Sequence, residues 1–314
     1  MNDFRIVFMG TPKFASDVLI ALLKSNFNIV GVVSQPDKEV GRKKVLTPSI
    51  TKTTALKYNI PVLTPYKVKD DFKEIIDLNP DLIITCAYGQ IIPNELINYP
   101  KFKCINIHGS LLPYGRGGAP IQHALMDGLD YTGITIMHMN DKMDEGDILV
   151  QDKIKIDDKD TSTILFDKLA KLASNLLTQF LPKYFNGDYK AIKQDSSSAT
   201  YTYNIKKEDE FISFNDSCKN VYNHIRALLD EPGCYFVINN KRYKILSAFY
   251  EIRKIDEPNL FVGLFDNYLR INCIDGFIKI YTIKPEGKNE MDAKAFFNGV
   301  GKSLVNLKTN INYE

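Results

Sequence analysis

The sequence predicts an α/β fold in two parts: a mostly parallel sheet covered by helices, then a smaller β-rich domain. Two observations carry this. Over roughly the first 180 residues, short apolar runs of strand type alternate with stretches of helical periodicity, the pattern of a sheet buried on both faces. Beyond a polar, serine-bearing stretch near residue 200, the texture changes to short strands separated by turn signals.

Taken in order, RIVFMG (5–10) reads as a buried strand. The helix after it brings Phe14, Val18, Leu19 and Leu22 close to helical spacing. NIVGVV (28–33), a short candidate at Pro61–Leu63, LIIT (82–85), CINIH (104–108) and GITIMHM (133–139) continue the strand series. A long amphipathic helix is expected from about Thr161 to Leu181, capped by Asp160 or Thr161, with Leu165, Leu169, Leu172, Leu176 and Phe180 as its core stripe. The polar run GDYKAIKQDSSSATYTYN then suggests a linker. A helix at about 216–229 precedes the strand candidates CYFVI, RYKILSAFY, LFVGLF, LRINCI and FIKIYTI, which suggest a small barrel or sandwich. The expected division is residues 1–182, a linker at 183–204, and a second domain at 205–314.

A chain of 314 residues is too long for one small core, which agrees with two domains. Its 44% hydrophobic and 25% charged residues are the composition of a globular protein. A formal net charge of +2 gives no whole-chain reason to expect nucleic acid or a membrane, so any basic surface must be local. Five cysteines without a CxxC pair point to reduced, buried thiols and away from a disulfide framework or zinc. The apolar run of MNDFRIVFMG stops at Gly10, too short for a signal segment, and no stretch is long enough to cross a membrane. A cytoplasmic protein is expected.

Absences narrow the chemistry. Gly10 stands where a dinucleotide fingerprint would begin, but the second and third glycines are missing. GxxxxGK[ST], GxSxG and HExxH are also missing. What remains is the end of CINIH, where Asn106 and His108 project to one face of a strand whose carboxyl end opens into a ligand crevice. The loop GSLLPYGRGGAP follows directly. An amide donor beside an imidazole suits an oxyanion in acyl transfer, although such a pair more often caps a strand and satisfies loop backbone. Downstream, MNDKMDEGDILVQ crowds Asp141, Asp144, Glu145 and Asp147 into one turn. A carboxylate held near His108 could orient its ring and relay a proton; a solvated turn or a weak cation site are the alternatives. Arg42, Lys43 and Lys44 form a compact basic turn suited to phosphate contact, although such runs are usually plain surface.

Together NIHGSLLP (106–113), RGGAPIQ (116–122), TGITIMHM (132–139) and MDEGDIL (143–149) resemble the 10-formyltetrahydrofolate-dependent formyltransferases. VFMGTPKFA (7–15), SQPDKEVGRKKVLTPS (34–49), CAYGQIIP (86–93) and IKPEGKNEMDAKAFFNG (283–299) extend the likeness along nearly the whole chain. They narrow it to members acting on initiator methionyl-tRNA. The resemblance implies a Rossmann-like N-terminal domain with a C-terminal OB-like barrel. It implies Asn106, His108 and Asp144 as catalytic residues, and Ser110, Leu111, Leu112 and Pro113 as the folate-contacting loop. Arg42, Lys43 and Lys44 would lie in a loop facing the tRNA acceptor end. It also implies 10-formyltetrahydrofolate as co-substrate, no metal or nicotinamide, and a monomer. Relatives acting on a ribonucleotide, an amino sugar or water share the centre, but those acting on the ribonucleotide resemble only the N-terminal portion. The chain departs from the family pattern at Tyr114 and Gly115, where a basic and an aromatic residue are usual, and at Leu229–Gly233. Neither departure is expected to touch the catalytic three.

Overall fold

The structure is a computed structural model describing residues 3–41 and 43–311. It divides into two compact units that interleave along the chain. The first takes in the chain up to Gly117, then Tyr131–Lys155 and Phe166–Thr202; the second takes in Gly118–Asp130, Ile156–Leu165 and the chain from Tyr203 onward.

In the first unit the strands are β1 (Ile6–Gly10), β2 (Ile29–Val33), β3 (Lys38–Val40), β4 (Val45–Thr47), β5 (Val62–Leu63), β6 (Leu82–Cys86), β7 (Cys104–His108), β8 (Arg116–Gly117), β9 (Tyr131–His138), β10 (Ile148–Lys155) and β11 (Tyr201–Thr202). Among the described residues, seven of them form one sheet in the order β10-β9-β7-β6-β1-β2-β5. The run from β5 to β7 is parallel. β1 and β6 are buried at every position, as expected of largely apolar strands covered on both faces. The helix Lys13–Lys24 buries Phe14, Val18, Leu19 and Leu22, the residues whose spacing suggested it.

β9 runs antiparallel to β7, with Ile105 opposite His138 and His108 opposite Thr135. The end of β9 therefore lies at the start of β7. β10 pairs antiparallel with β9, Ile148 opposite Met137, so residues 139–147 form the loop that joins these two strands, and this loop brings Asp144 to Asn106 and His108 of β7.

The long helix runs over Ser162–Asn186, past the Leu181 limit expected from sequence and through Pro182. Ring contacts of Tyr184 and Phe185 with Phe102, and of Phe185 with Phe4, secure this last turn. The buried line is Leu165, Leu169, Ala173, Leu177 and Leu181, so Leu172 and Leu176 flank the stripe and are half-buried. The expected linker is folded structure. Ile192 exchanges two backbone hydrogen bonds of 2.8 Å with Ile148, and β11 pairs in parallel with β8.

In the second unit, Ser217 caps the helix Cys218–Leu228 by accepting from the Asn220 amide. The strands are β12 (Cys234–Ile238), β13 (Lys241–Ile252), β14 (Phe261–Phe265), β15 (Tyr268–Asn272), β16 (Gly276–Pro285) and β17 (Met291–Asp292). Among the described residues they form one antiparallel sheet, β12-β13-β16-β15-β14, with β17 on β16. Asn239 and Asn240 join β12 to β13 with φ of 51° and 58°, the two positive values of a type I′ hairpin turn. The Leu307 carbonyl accepts from Phe261 on β14 at 2.9 Å, and the Asn310 amide donates to Val237 on β12 at 3.0 Å. One short segment thus bridges both edge strands and closes the sheet toward a barrel around Phe236, Tyr243, Phe261, Phe277 and Phe296.

Candidate active site

Asn106 sits in β7, whose register sets Thr85 of β6 beside it. The Thr85 hydroxyl donates to Asn106 Oδ1 at 2.8 Å, and Asn106 Nδ2 donates to Asp144 Oδ1 at 3.4 Å. This fixes the amide orientation, since a flipped amide would set its oxygen against a carboxylate. His108, two residues on and almost fully buried, has its Nε2 2.7 Å from the Gly115 carbonyl. A carbonyl only accepts, so Nε2 carries a proton. His108 Nδ1 is then left 3.6 Å from Asp144 Oδ2. Asp144 Oδ2 also accepts from the Gly117 amide at 2.9 Å. The three expected catalytic residues therefore meet, although 38 positions separate Asn106 from Asp144.

Asp144 has φ +52°, a left-handed conformation that aspartate tolerates better than most residues. The turn closes tightly, because a Cβ at Gly146 would run into the His138 carbonyl. Gly117 has φ +101° and packs against the Thr202 carbonyl, so a side chain there meets both a strained backbone and a steric block. The Gly115 departure, expected to stand clear of the catalytic three, instead supplies the carbonyl that holds His108. Main-chain atoms make this contact, and residue type alone gave no sign of it.

The Ser110–Pro113 stretch is mostly turned inward. Ser110 Oγ donates to the Tyr114 carbonyl at 2.6 Å, and its own carbonyl accepts from Thr135 Oγ1 at 2.6 Å. Leu112 packs with Met137 and Ile148; its amide donates to Thr135 Oγ1 at 3.1 Å and its carbonyl accepts from Gln151 at 2.8 Å. Leu111 and Pro113 are half-buried. Arg42 lies outside the described residues. Lys43 and Lys44 are exposed on the β3–β4 hairpin, and Lys44 approaches Glu39 at 3.5 Å.

A cleft of about 430 Å³ is lined by Asn94, Ile97, Lys103, His138–Asp141 and Gly146–Asp147, at both arms of the loop that carries Asp144. None of Asn106, His108 and Asp144 lines it. His138 at its wall faces the Tyr184 hydroxyl at 3.0 Å; burial, then nearby Lys103, lowers its pKa from the ordinary 6.5, against an opposing pull from Asp147. Among the described residues no group of three His, Cys, Asp or Glu side chains could hold a metal ion. No helix among them is long and apolar enough to cross a membrane.

Sequence reasoning missed Thr85, Arg116 and Gln194. Thr85 lies in an apolar strand and Gln194 in a stretch read as linker, so neither carried a signal of its own.

Residues 4–181 match the family described as "Formyl transferase", and residues 204–301 match "Formyl transferase, C-terminal domain". A methionyl-tRNA formyltransferase of Bacillus mycoides (strain KBAB4) is 43% identical over 299 residues, covering 94% of this chain and 95% of that protein. One from Bacillus cereus (strain B4264) is 42% identical with the same coverage. Among solved structures, the sugar 3N-formyl transferase WlaRD, in the presence of dTDP and 5-N-formyl-THF, superposes with a TM-score of 0.67 at 25% identity, over 91% of this chain and 99% of that one. An N-formyltransferase from Helicobacter canadensis shares the fold at a TM-score of 0.67 and 23% identity, over 88% and 98% of the two chains. The chain belongs to the formyl transferase family, the family of these methionyl-tRNA formyltransferases.

Proposed function

We propose that the chain transfers the formyl group of 10-formyltetrahydrofolate to the α-amino group of initiator methionyl-tRNA. The convergence of the Asn106 amide, the His108 ring and the Asp144 carboxylate at the carboxyl end of β7 carries the reading. The amine adds to the formyl carbon, and the carbonyl oxygen gains the charge of an oxyanion. Asn106 Nδ2 has a second N–H beyond the one facing Asp144 and donates it there, together with a proton on His108 Nδ1. Asp144 accepts the amine proton, through water, as the new C–N bond forms. The bond to folate N10 then breaks, and N10 takes up a proton as it leaves. Aminoacyl esterification removes the acceptor's carboxylate charge and leaves more free base on its amine.

The Asn106 geometry fits this substrate because the amide is fixed yet half-exposed. Ser110, Leu111, Leu112 and Pro113 shape the wall that meets the folate; the buried Leu112 acts through packing, and Leu111 and Pro113 offer the accessible surface. Arg42, Lys43 and Lys44 meet the acceptor-end phosphates, and the protein works in the cytoplasm as a monomer. An amino-sugar acceptor is the second reading, suggested by likeness to sugar formyl transferases. Relatives at 42–43% identity over 94% of the chain favour the tRNA acceptor.

The test supplies 10-formyltetrahydrofolate with charged initiator tRNA, a nucleotide-linked amino sugar, glycinamide ribonucleotide or water alone. Consumption is expected only with the charged tRNA; a preference for another acceptor sinks the reading. Asp144→Asn and His108→Ala should each lose at least about 100-fold in turnover while remaining folded. Near-normal turnover by either variant removes that residue from the mechanism.

A further inference from the structure

Gln194 belongs to the polar stretch that reads as linker, yet it is only 6% exposed. Its Oε1 accepts from Arg116 Nε at 3.0 Å. Its Nε2 donates to two carbonyls, Asp144 at 2.8 Å and Gly146 at 2.7 Å. A guanidinium can only donate, so Arg116 dictates which end of the amide faces it and turns both N–H groups toward the loop. Arg116 is itself fully buried, its Nη2 3.4 Å from Ser196 Oγ and its Nη1 3.6 Å from Glu145. A buried amide or guanidinium with these bonds cannot turn without stranding a polar group.

The two carbonyls that Gln194 holds bracket the turn in which Asp144 takes its left-handed φ. On the other side, the backbone neighbours of Arg116 hold the same pair of side chains, Gly115 through its carbonyl on His108 and Gly117 through its amide on Asp144. Movement at Arg116 or Gln194 therefore changes the distance between His108 Nδ1 and the Asp144 carboxylate.

We infer that Gln194 and Arg116 are positioning residues for formyl transfer, setting Asp144 against His108 without touching substrate. This rests on Asp144 being the proton acceptor of the proposed reaction. Displacements of about an ångström at a reacting pair cost on the order of 100-fold in rate, so loss of the Gln194 donors should lower kcat by about 10- to 100-fold while KM for methionyl-tRNA changes by less than about threefold.

The experiment measures kcat, KM and thermal unfolding for Gln194→Met, Gln194→Glu, Asp144→Asn and the double variant Gln194→Met/Asp144→Asn. Gln194→Met keeps the side-chain volume. Gln194→Glu keeps an acceptor for Arg116 while losing both donors to the loop, and it decides the matter if the Met variant does not fold. Both single Gln194 variants should lose kcat per folded molecule, and the double variant should be no slower than Asp144→Asn, because residues acting through one group are not additive. Independent, multiplying losses in the double variant overturn the inference. So does a folded Gln194→Glu with normal kcat beside an inactive Asp144→Asn. Full turnover by Asp144→Asn overturns the catalytic reading as well.

Discussion

Replacing Thr85 by valine exchanges a hydroxyl for a methyl at nearly constant volume in a buried β6 position. The Thr85 hydroxyl has one proton and three acceptors within reach: Asn106 Oδ1 at 2.8 Å, the Ile105 carbonyl at 3.2 Å and Met139 Sδ at 3.3 Å. The shortest contact orients the Asn106 amide. Without it, Asn106 Oδ1 loses its donor, and the side chain keeps only the 3.4 Å contact to Asp144. An unsatisfied polar atom in a partly buried site costs about 1–3 kcal/mol of stability. If about 1.4 kcal/mol of that appears as lost preorganisation of Asn106, the oxyanion donor of the proposed reaction, turnover falls about tenfold. Urea unfolding and single-turnover formyl transfer on Thr85→Val and Thr85→Ser separate the effects. The serine variant keeps the hydroxyl and should retain most of its turnover, whereas the valine variant should lose both stability and rate. Valine matching wild type in both measurements refutes the argument that Thr85 orients Asn106.

Gly117→Ala adds strain of roughly 1–3 kcal/mol at φ +101° and drives a methyl into the Thr202 carbonyl, so it should lower the unfolding temperature and turnover together; Gly187→Ala, at φ +78° with open space around it, should lower stability less and leave turnover intact. His138 and His224 both have pKa values lowered from 6.5 chiefly by burial, so the unfolded chain takes up their protons first. Their contribution is thus present above about pH 6.5 and lost as pH falls through the lower folded values, and His224→Gln should flatten the decline of urea midpoint with acidification. All five cysteines are buried, and burial pushes Cys218 and Cys234 up to about 12, so a thiol reagent at pH 8 should label the native protein slowly and the urea-unfolded protein fully.

Much of the fold was legible because burial writes itself into composition. The apolar β1 and the largely apolar β6 and β7 announced a covered sheet, and the strand runs from Cys234 onward announced the second one. Asn106, His108 and Asp144 were legible as an amide, an imidazole and a carboxylate, and the structure brings them together. Their supports were not. The Gly115 carbonyl and Gly117 amide act through the main chain, which every residue type carries. Gln194 was hidden in polar surroundings that also describe a solvated linker, and only three-dimensional contact distinguishes a buried amide from an exposed one. The antiparallel placement of β9 was equally silent, because a strand's apolar pattern does not encode its direction.

The alternation of the chain between two units has a consequence for heredity. Boundaries after Gly117, Asp130, Lys155, Leu165 and Thr202 give five passages from one unit to the other. A single recombination point near residue 182 or 204 would not hand over a whole unit. It would leave Gly118–Asp130 and Ile156–Leu165 behind, separated from the helix Cys218–Leu228 that packs on the first of them. The two units can therefore change residue by residue, but they are poorly suited to being exchanged as cassettes.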